Sequence, residues 1–141
     1  MPSDASWPLQ QAVYTALTGA AAIQALVGNP ARVYDEVPPE DQAATFPYIT
    51  IGDDTVVEMG TKTEDISEHT LTLHAWDRTH RGRKVVKQVL DAIKATLHHA
   101  SLSVTGHTLV LIHFEFGETL QDADGLTWHG IHRYRCIVQD T

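Results

Sequence analysis

The chain has 141 residues, 43% hydrophobic and 20% charged, a length that suits one domain spanning 1–141 and a balance that excludes the disordered and membrane classes. Its formal charge of −8 sets the surface field against generic binding to phosphate backbones. No apolar run approaches the ~20 residues that span a bilayer, and the opening MPSDASW lacks the basic and apolar parts of a signal peptide, so the expected compartment is the cytoplasm.

Ser6, before Trp7 and Pro8, is placed to cap a first helix in which Leu9, Val13 and Leu17 share one face and Gly19 ends the run. Ala20 to Val27 reads as a second helical piece after a bend, with Ile23, Leu26 and Val27 facing inward and Gly28, Asn29 and Pro30 stopping it. Arg32 to Tyr34 is a short strand candidate, and Val37 to Thr45, carrying Pro38 and Pro39, is a loop because proline cannot donate to a ladder. From Tyr48 the alternation that puts Ile49 and Ile51 on one face marks a strand, running on through Val56 and Val57 until Gly60. The run Met59 to Ser67 is polar. From Glu68 to Trp76 alternation resumes, with His69, Leu71, Leu73 and Ala75 on one face, so the two strands and their polar tip form a long hairpin arm.

Asp77 or Thr79 is then placed to cap a second main helix, whose Val85, Val86, Val89, Leu90, Ile93 and Leu97 recur at three- and four-residue spacing and whose last turn carries His98 and His99. A loop with Leu102, Val104 and Gly106 leads to a strand over Leu109 to Glu118, where Leu109, Leu111 and His113 oppose Val110, Ile112, Phe114 and Phe116. Gln121 to Gly125 has hairpin-turn chemistry, with Asp124 and Gly125 suited to left-handed conformations, and Trp128 to Val138 closes the sheet. The expected class is α+β: an antiparallel sheet of about four main strands packed on one side by two main helices, with a long β-hairpin arm.

Catalytic signatures are missing from this pattern. The chain contains no GxSxG, GxxxxGK[ST] or GxGxxG. His129 and His132 fall on opposite faces of a strand, and the neighbours His98 and His99 point two ways round a helix, so no metal site is expected. Asp53, Asp54, Asp122 and Asp124 read as turn-forming and solvated acids. The single cysteine, Cys136, can form no internal disulfide and reads as a small core residue. The basic cluster Arg78, Arg81, Arg83, Lys84 and Lys87 opposes the dipole at the start of a helix, a cost that pairing with acids of a neighbouring subunit would offset.

The ordered set of the opening helix with Leu9, Val13, Tyr14 and Leu17, RVYDEVPPEDQAATFPYITIG (32–52), HTLTLHAWDR, RGRKVVKQVLDAIKATL and DADGLTWHGIHRYRC (122–136) resembles the tail terminator, or tail completion, proteins of long-tailed bacteriophages and gene transfer agents. The resemblance covers nearly the whole chain and rests on order and spacing. It implies a structural protein without cofactor or enzymatic activity, assembled in the bacterial cytoplasm into a phage-like particle. There it would form a hexameric ring that caps the tail tube protein and joins the tail to the head-side connector, while DNA passes through the lumen without specific binding.

A closed ring needs one patch to meet a different patch. Charge placement makes Asp53, Asp54, Glu58, Lys62, Glu64 and Asp65 on the arm, and Arg81, Arg83 and Lys87 before and along the second helix, the candidate subunit and tube contacts. Competing readings are another neck component, such as a head-completion or stopper protein, and a small-ligand-binding or hydrolytic enzyme. A nucleic-acid binder is the third and is opposed by the charge of −8.

Overall fold

Residues 3–36 and 45–140 are described by the computed structural model of the chain. Four long strands, β2 (Tyr48–Glu58), β3 (Ile66–Asp77), β5 (His107–Gln121) and β6 (Trp128–Asp140), make the body of the sheet. Two short strands, β1 (Val33–Tyr34) and β4 (Ser103–Val104), finish its edges in the order β1-β2-β3-β6-β5-β4. The helices are α1 (Ser6–Gly19), α2 (Ala21–Val27) and α3 (Lys84–Leu97). The class is α+β, as expected from the order of elements. The sheet nonetheless has six strands among the described residues, and β1 runs parallel to β2. Two-residue strands are too short for period-two alternation to reveal them. No described helix is long and apolar enough to cross a membrane.

One face of the sheet carries the helices. Along β3, His69, Leu71, Leu73 and Ala75 are buried, and their partners on β6 are Cys136, Tyr134, His132 and Gly130, so the expected alternation of β3 holds. Against this face α3 buries Val86, Val89, Leu90, Ala92, Ile93 and Leu97, each of the larger side chains worth roughly 1.5–3 kcal/mol on removal from water. The helix sits close because Gly130 has no side chain: a Cβ there would lie 2.5 Å from Val86 Cγ1 and 2.7 Å from Leu90 Cδ1. α1 buries Leu9, Val13 and Leu17 in the same core.

Several boundaries differ from those expected. Ser6 is the first helical residue and not the cap; Ala5 holds that position, buried, and the Ser6 N–H donates to Asp4 Oδ1 at 2.8 Å. This bond chiefly holds the Asp4 carboxyl below its usual range. Gly19 stays helical and the bend falls on Ala20, which is extended (φ −84°, ψ 126°). Neither Asp77 nor Thr79 caps α3: Arg83 stands at that position without a side-chain bond, while the buried Asp77 carboxylate accepts the N–H groups of Thr79 (3.1 Å) and His80 (3.2 Å) in the preceding turn. Ile66 and Ser67 belong to β3, which shortens the polar tip. In the β5–β6 turn only Gly125 takes the left-handed conformation (φ 70°), not Asp124. The proline-rich loop expected at 37–45 lies, except for Thr45, outside the described residues.

β5 departs most. Irregularities between Leu109 and Leu111 and between Phe114 and Phe116 shift its register, so Leu109, Ile112 and Phe114 oppose the core-facing Val138, Cys136 and Tyr134. Leu111, His113 and Phe116 oppose Ile137, Arg135 and Arg133 on the uncovered face. Leu109 and Leu111, expected together, are therefore separated, because one extra residue swaps the faces of everything beyond it.

Candidate assembly surface

The arm is built by the outer halves of β2 and β3. Ile51 pairs with Leu73 and the next pair is Asp54 with Leu71, so the Gly52–Asp53 stretch holds one residue more than its partner strand. At Gly52 a Cβ would collide with the His74 imidazole, so the glycine lets that ring lie against the strand. β1 covers β2 only at Ile49 and Thr50, which leaves the edge from Asp53 to Glu58 without a neighbouring strand among the described residues. Such an edge presents unpaired amides and carbonyls to any incoming chain. Beside it stand Val56 (45% exposed), Val57 (56%) and Met59 (47%). The tip is an ordered turn: Met59 N–H donates to Ile66 O at 2.8 Å, Thr61 N–H to Glu64 O at 2.9 Å, and Glu58 accepts Gly60 N–H at 2.8 Å. Apolar contact area thus sits directly behind the polar tip, on the Val56 and Val57 that continue the strand.

Asp53, Asp54, Glu58, Lys62, Glu64 and Asp65 are all exposed on this arm, and Arg81, Arg83 and Lys87 are exposed around the start of α3. The structure does not bring the two groups together. The arm tip enters β3 at Ile66 and the basic turn leaves it after Asp77, a separation of roughly 36 Å at ~3.3 Å per residue, while Asp54 stands opposite Leu71 near the middle of the strand. No ion pair among the described residues joins any of these side chains. Arg83 lies over the Trp128 ring at 4.7 Å. Arg78, from the same basic cluster, is already used internally, 3.2 Å from Asp124 Oδ2 and 5.2 Å over Phe46. A second apolar patch went unnoticed in the sequence: Trp7 and Tyr14 are exposed on α1, and their seven-residue spacing, two helical turns, was the available signal.

Other polar clusters bind the chain to itself. On the uncovered face Trp76 and His129 stack with ring centroids 3.7 Å apart, and His74 Nδ1 lies 2.6 Å from His129 Nε2. Burial lowers the pKa of both histidines. His132 faces the core instead, so the expected separation of His129 and His132 holds. Ser3 Oγ, His107 Nε2 (3.3 Å) and His107 Nδ1, Asp140 Oδ1 (2.8 Å) line up in nucleophile, base and acid order. The Ser3 N–H also donates to Asp140 Oδ2 at 3.0 Å, so the row clasps the segment before α1 to the paired ends of β5 and β6. Cys136 is fully buried and its thiol is pushed up to about 12 by desolvation, the environment of an inert thiol.

The expectation that His98 and His99 point two ways round a helix is overturned. α3 ends at Leu97, His98 is extended and His99 is left-handed (φ 57°). Their rings stack 3.9 Å apart, and His113 on β5 lies 5.0 Å from His98.

Residues 11–139 match the family described as Tail completion protein gp17. Over 97 residues the chain is 29% identical to the tail completion protein gp17 of Bacillus phage SPP1, a stretch covering 67% of this chain and 69% of that protein. Among solved structures, a chain from the virion of a native gene transfer agent particle is similar with a TM-score of 0.86 and 25% identity, over 98% of this chain and 99% of that one. The bacteriophage SPP1 gp17 protein is similar with a TM-score of 0.52 and 27% identity, over 94% and 89% of the two chains. The sheet with its long arm, and the sequence laid along it, place this chain in the tail completion protein gp17 family.

Proposed function

We propose that the protein completes the tail of a phage-like particle as a ring of six copies that caps the tail tube and carries the junction to the head-side connector. Its work is structural, and its place is the virion or gene transfer particle, in keeping with the family and the particle chain it resembles. The observation that carries the ring is the arm: a strand edge unpaired among the described residues and flanked by exposed Val56, Val57 and Met59. No described strand covers that edge, and a neighbouring subunit would cover it.

The charges support a head-to-tail arrangement. Glu58, Glu64 and Asp65 lie by the Ile66 end of β3, with Asp53 and Asp54 opposite its middle, while Arg81 and Arg83 follow its Asp77 end and Lys87 stands in the first turn of α3, so a head-to-tail contact would bring the tip acids of one copy to the bases of the next, as a heterologous ring contact requires. The net charge of −8 lets DNA pass the lumen without adhering.

Native mass measurement and negative-stain microscopy of the protein, with and without preformed tail tubes, test this reading. The expected species is a six-fold ring at tube ends, lost when Val57→Lys and Met59→Lys are combined. Protein that stays monomeric beside tubes overturns it.

A further inference from the structure

The junction of α3 with the outer edge of β5 gathers His98, His99 and His113, with one ring nitrogen of each within 4.8 Å of the others. The backbone is bent to make this cluster. His99 is the one non-glycine among the described residues with positive φ (57°), a left-handed conformation that side chains adopt rarely. Its N–H donates to Ile112 O at 2.8 Å, which fastens the helix end to the strand edge. His99 Nε2 and His113 Nδ1 then lie 3.2 Å apart. Two nitrogens sharing one ion at ~2.0–2.1 Å stand about 2.9 Å apart at a right angle and about 3.4 Å apart at the tetrahedral angle, so the observed spacing falls inside the range of adjacent ligands.

We propose that His99 Nε2 and His113 Nδ1 form a surface site for a borderline divalent transition metal, Zn²⁺, Ni²⁺ or Cu²⁺, with water on the remaining positions. Imidazole nitrogen suits these ions, whereas Mg²⁺ and Ca²⁺ require oxygen donors. His98 is not a ligand: its Nδ1 accepts the Phe114 N–H at 2.9 Å, so its proton sits on Nε2 and no lone pair is left for an ion. It serves as a platform, stacked on His99 at 3.9 Å. Both ligands are exposed, so an ion can reach them without unfolding. Bound metal would tie the C-terminal end of α3 to β5.

Isothermal titration of tag-free protein with zinc, nickel and copper chlorides, beside magnesium and calcium chlorides, tests the assignment. Binding of one transition ion per chain is expected, with a rise in Tm and, for diamagnetic Zn²⁺, with NMR shifts centred on the His99 and His113 imidazole signals. His99→Ala and His113→Ala should each weaken binding by about tenfold or more, equivalent to ~1.4 kcal/mol, while His98→Phe stays within about threefold of the parent. A parent chain that binds none of the three transition ions, or variants at His99 and His113 that bind as the parent does, overturns the site. A loss in His98→Phe as large as in His99→Ala overturns the division between ligands and platform. Circular dichroism of each variant separates loss of binding from loss of fold.

Discussion

His132 makes the stability of this fold depend on pH. The residue is 8% exposed on the core face of β6, its Nδ1 is 3.0 Å from the Tyr134 hydroxyl, and its ring centroid is 4.6 Å from that of Phe114. Burial, and then the nearby Lys94 charge, keep the imidazole neutral and lower its pKa to about 4, with Asp91 opposing weakly. In the unfolded chain the same group titrates near ~6.5. The folded pKa is the lower one, so the unfolded state takes up the proton first. The contribution of neutral His132 is present in full above about pH 6.5 and is lost as the pH falls from there towards about 4.

Between about pH 7.5 and about pH 5.0 this linkage removes about 2 kcal/mol. Urea unfolding of the parent and of His132→Gln at both pH values measures it. The variant is expected to start lower by about 1–3 kcal/mol, for the disturbed contact with Tyr134, yet to lose about 2 kcal/mol less on acidification. His69, His74 and His129, whose pKa values burial also lowers, remain in both proteins and cancel in the comparison. Equal acid losses in the two proteins would falsify the neutral burial of His132.

Further outcomes follow from the same contacts. Gly130→Ala, which drives a methyl into Val86 and Leu90, should destabilise by about 1–3 kcal/mol, read as a lower urea midpoint with unchanged slope. Asp124, which accepts Leu126 N–H (2.8 Å), Thr127 N–H (2.9 Å) and the Thr127 hydroxyl (2.7 Å), should titrate at about 2 in carbon-detected NMR, so the turn persists until the pH falls that far. Cys136 should resist Ellman's reagent in the native protein and react stoichiometrically in urea; ready labelling of folded protein would show that the core opens there. Arg83→Glu should weaken subunit association and remove part of its salt dependence, as followed by sedimentation. An unaltered salt profile would take this arginine out of the contact.

How much of this was legible in advance depends on the range of the signal. The alternation of His69, Leu71, Leu73 and Ala75 and the stripe from Val86 to Leu97 are repeated local patterns, and both elements formed as their patterns indicate. The irregularities at Gly52–Asp53 and along β5 were invisible, since one added residue has no composition of its own and declares itself only against the partner strand. Ser6 and Asp77 show the limit of capping chemistry: Ser6 is itself the first helical residue and its own amide donates to Asp4, while the Asp77 carboxylate is taken by the amides of Thr79 and His80 before the helix begins. The histidine cluster required a contact between His99 and Ile112, thirteen residues apart and on different elements. Likewise the acids and bases could be read one by one, but the placement of the tip acids near one end of β3, and of Asp54 opposite its middle, needed the register.

β6 lies between β3 and β5, although it follows every other strand of the sheet along the chain. During synthesis, then, the earlier strands emerge before the one that joins them, and the β2–β3 hairpin and β5 must wait as separate pieces. Closure is a late, long-range event, the kind of topology that slows folding. A ribosome halted before Trp128 would release a chain with raw borders in its middle, fit for chaperones or proteases and not for a particle.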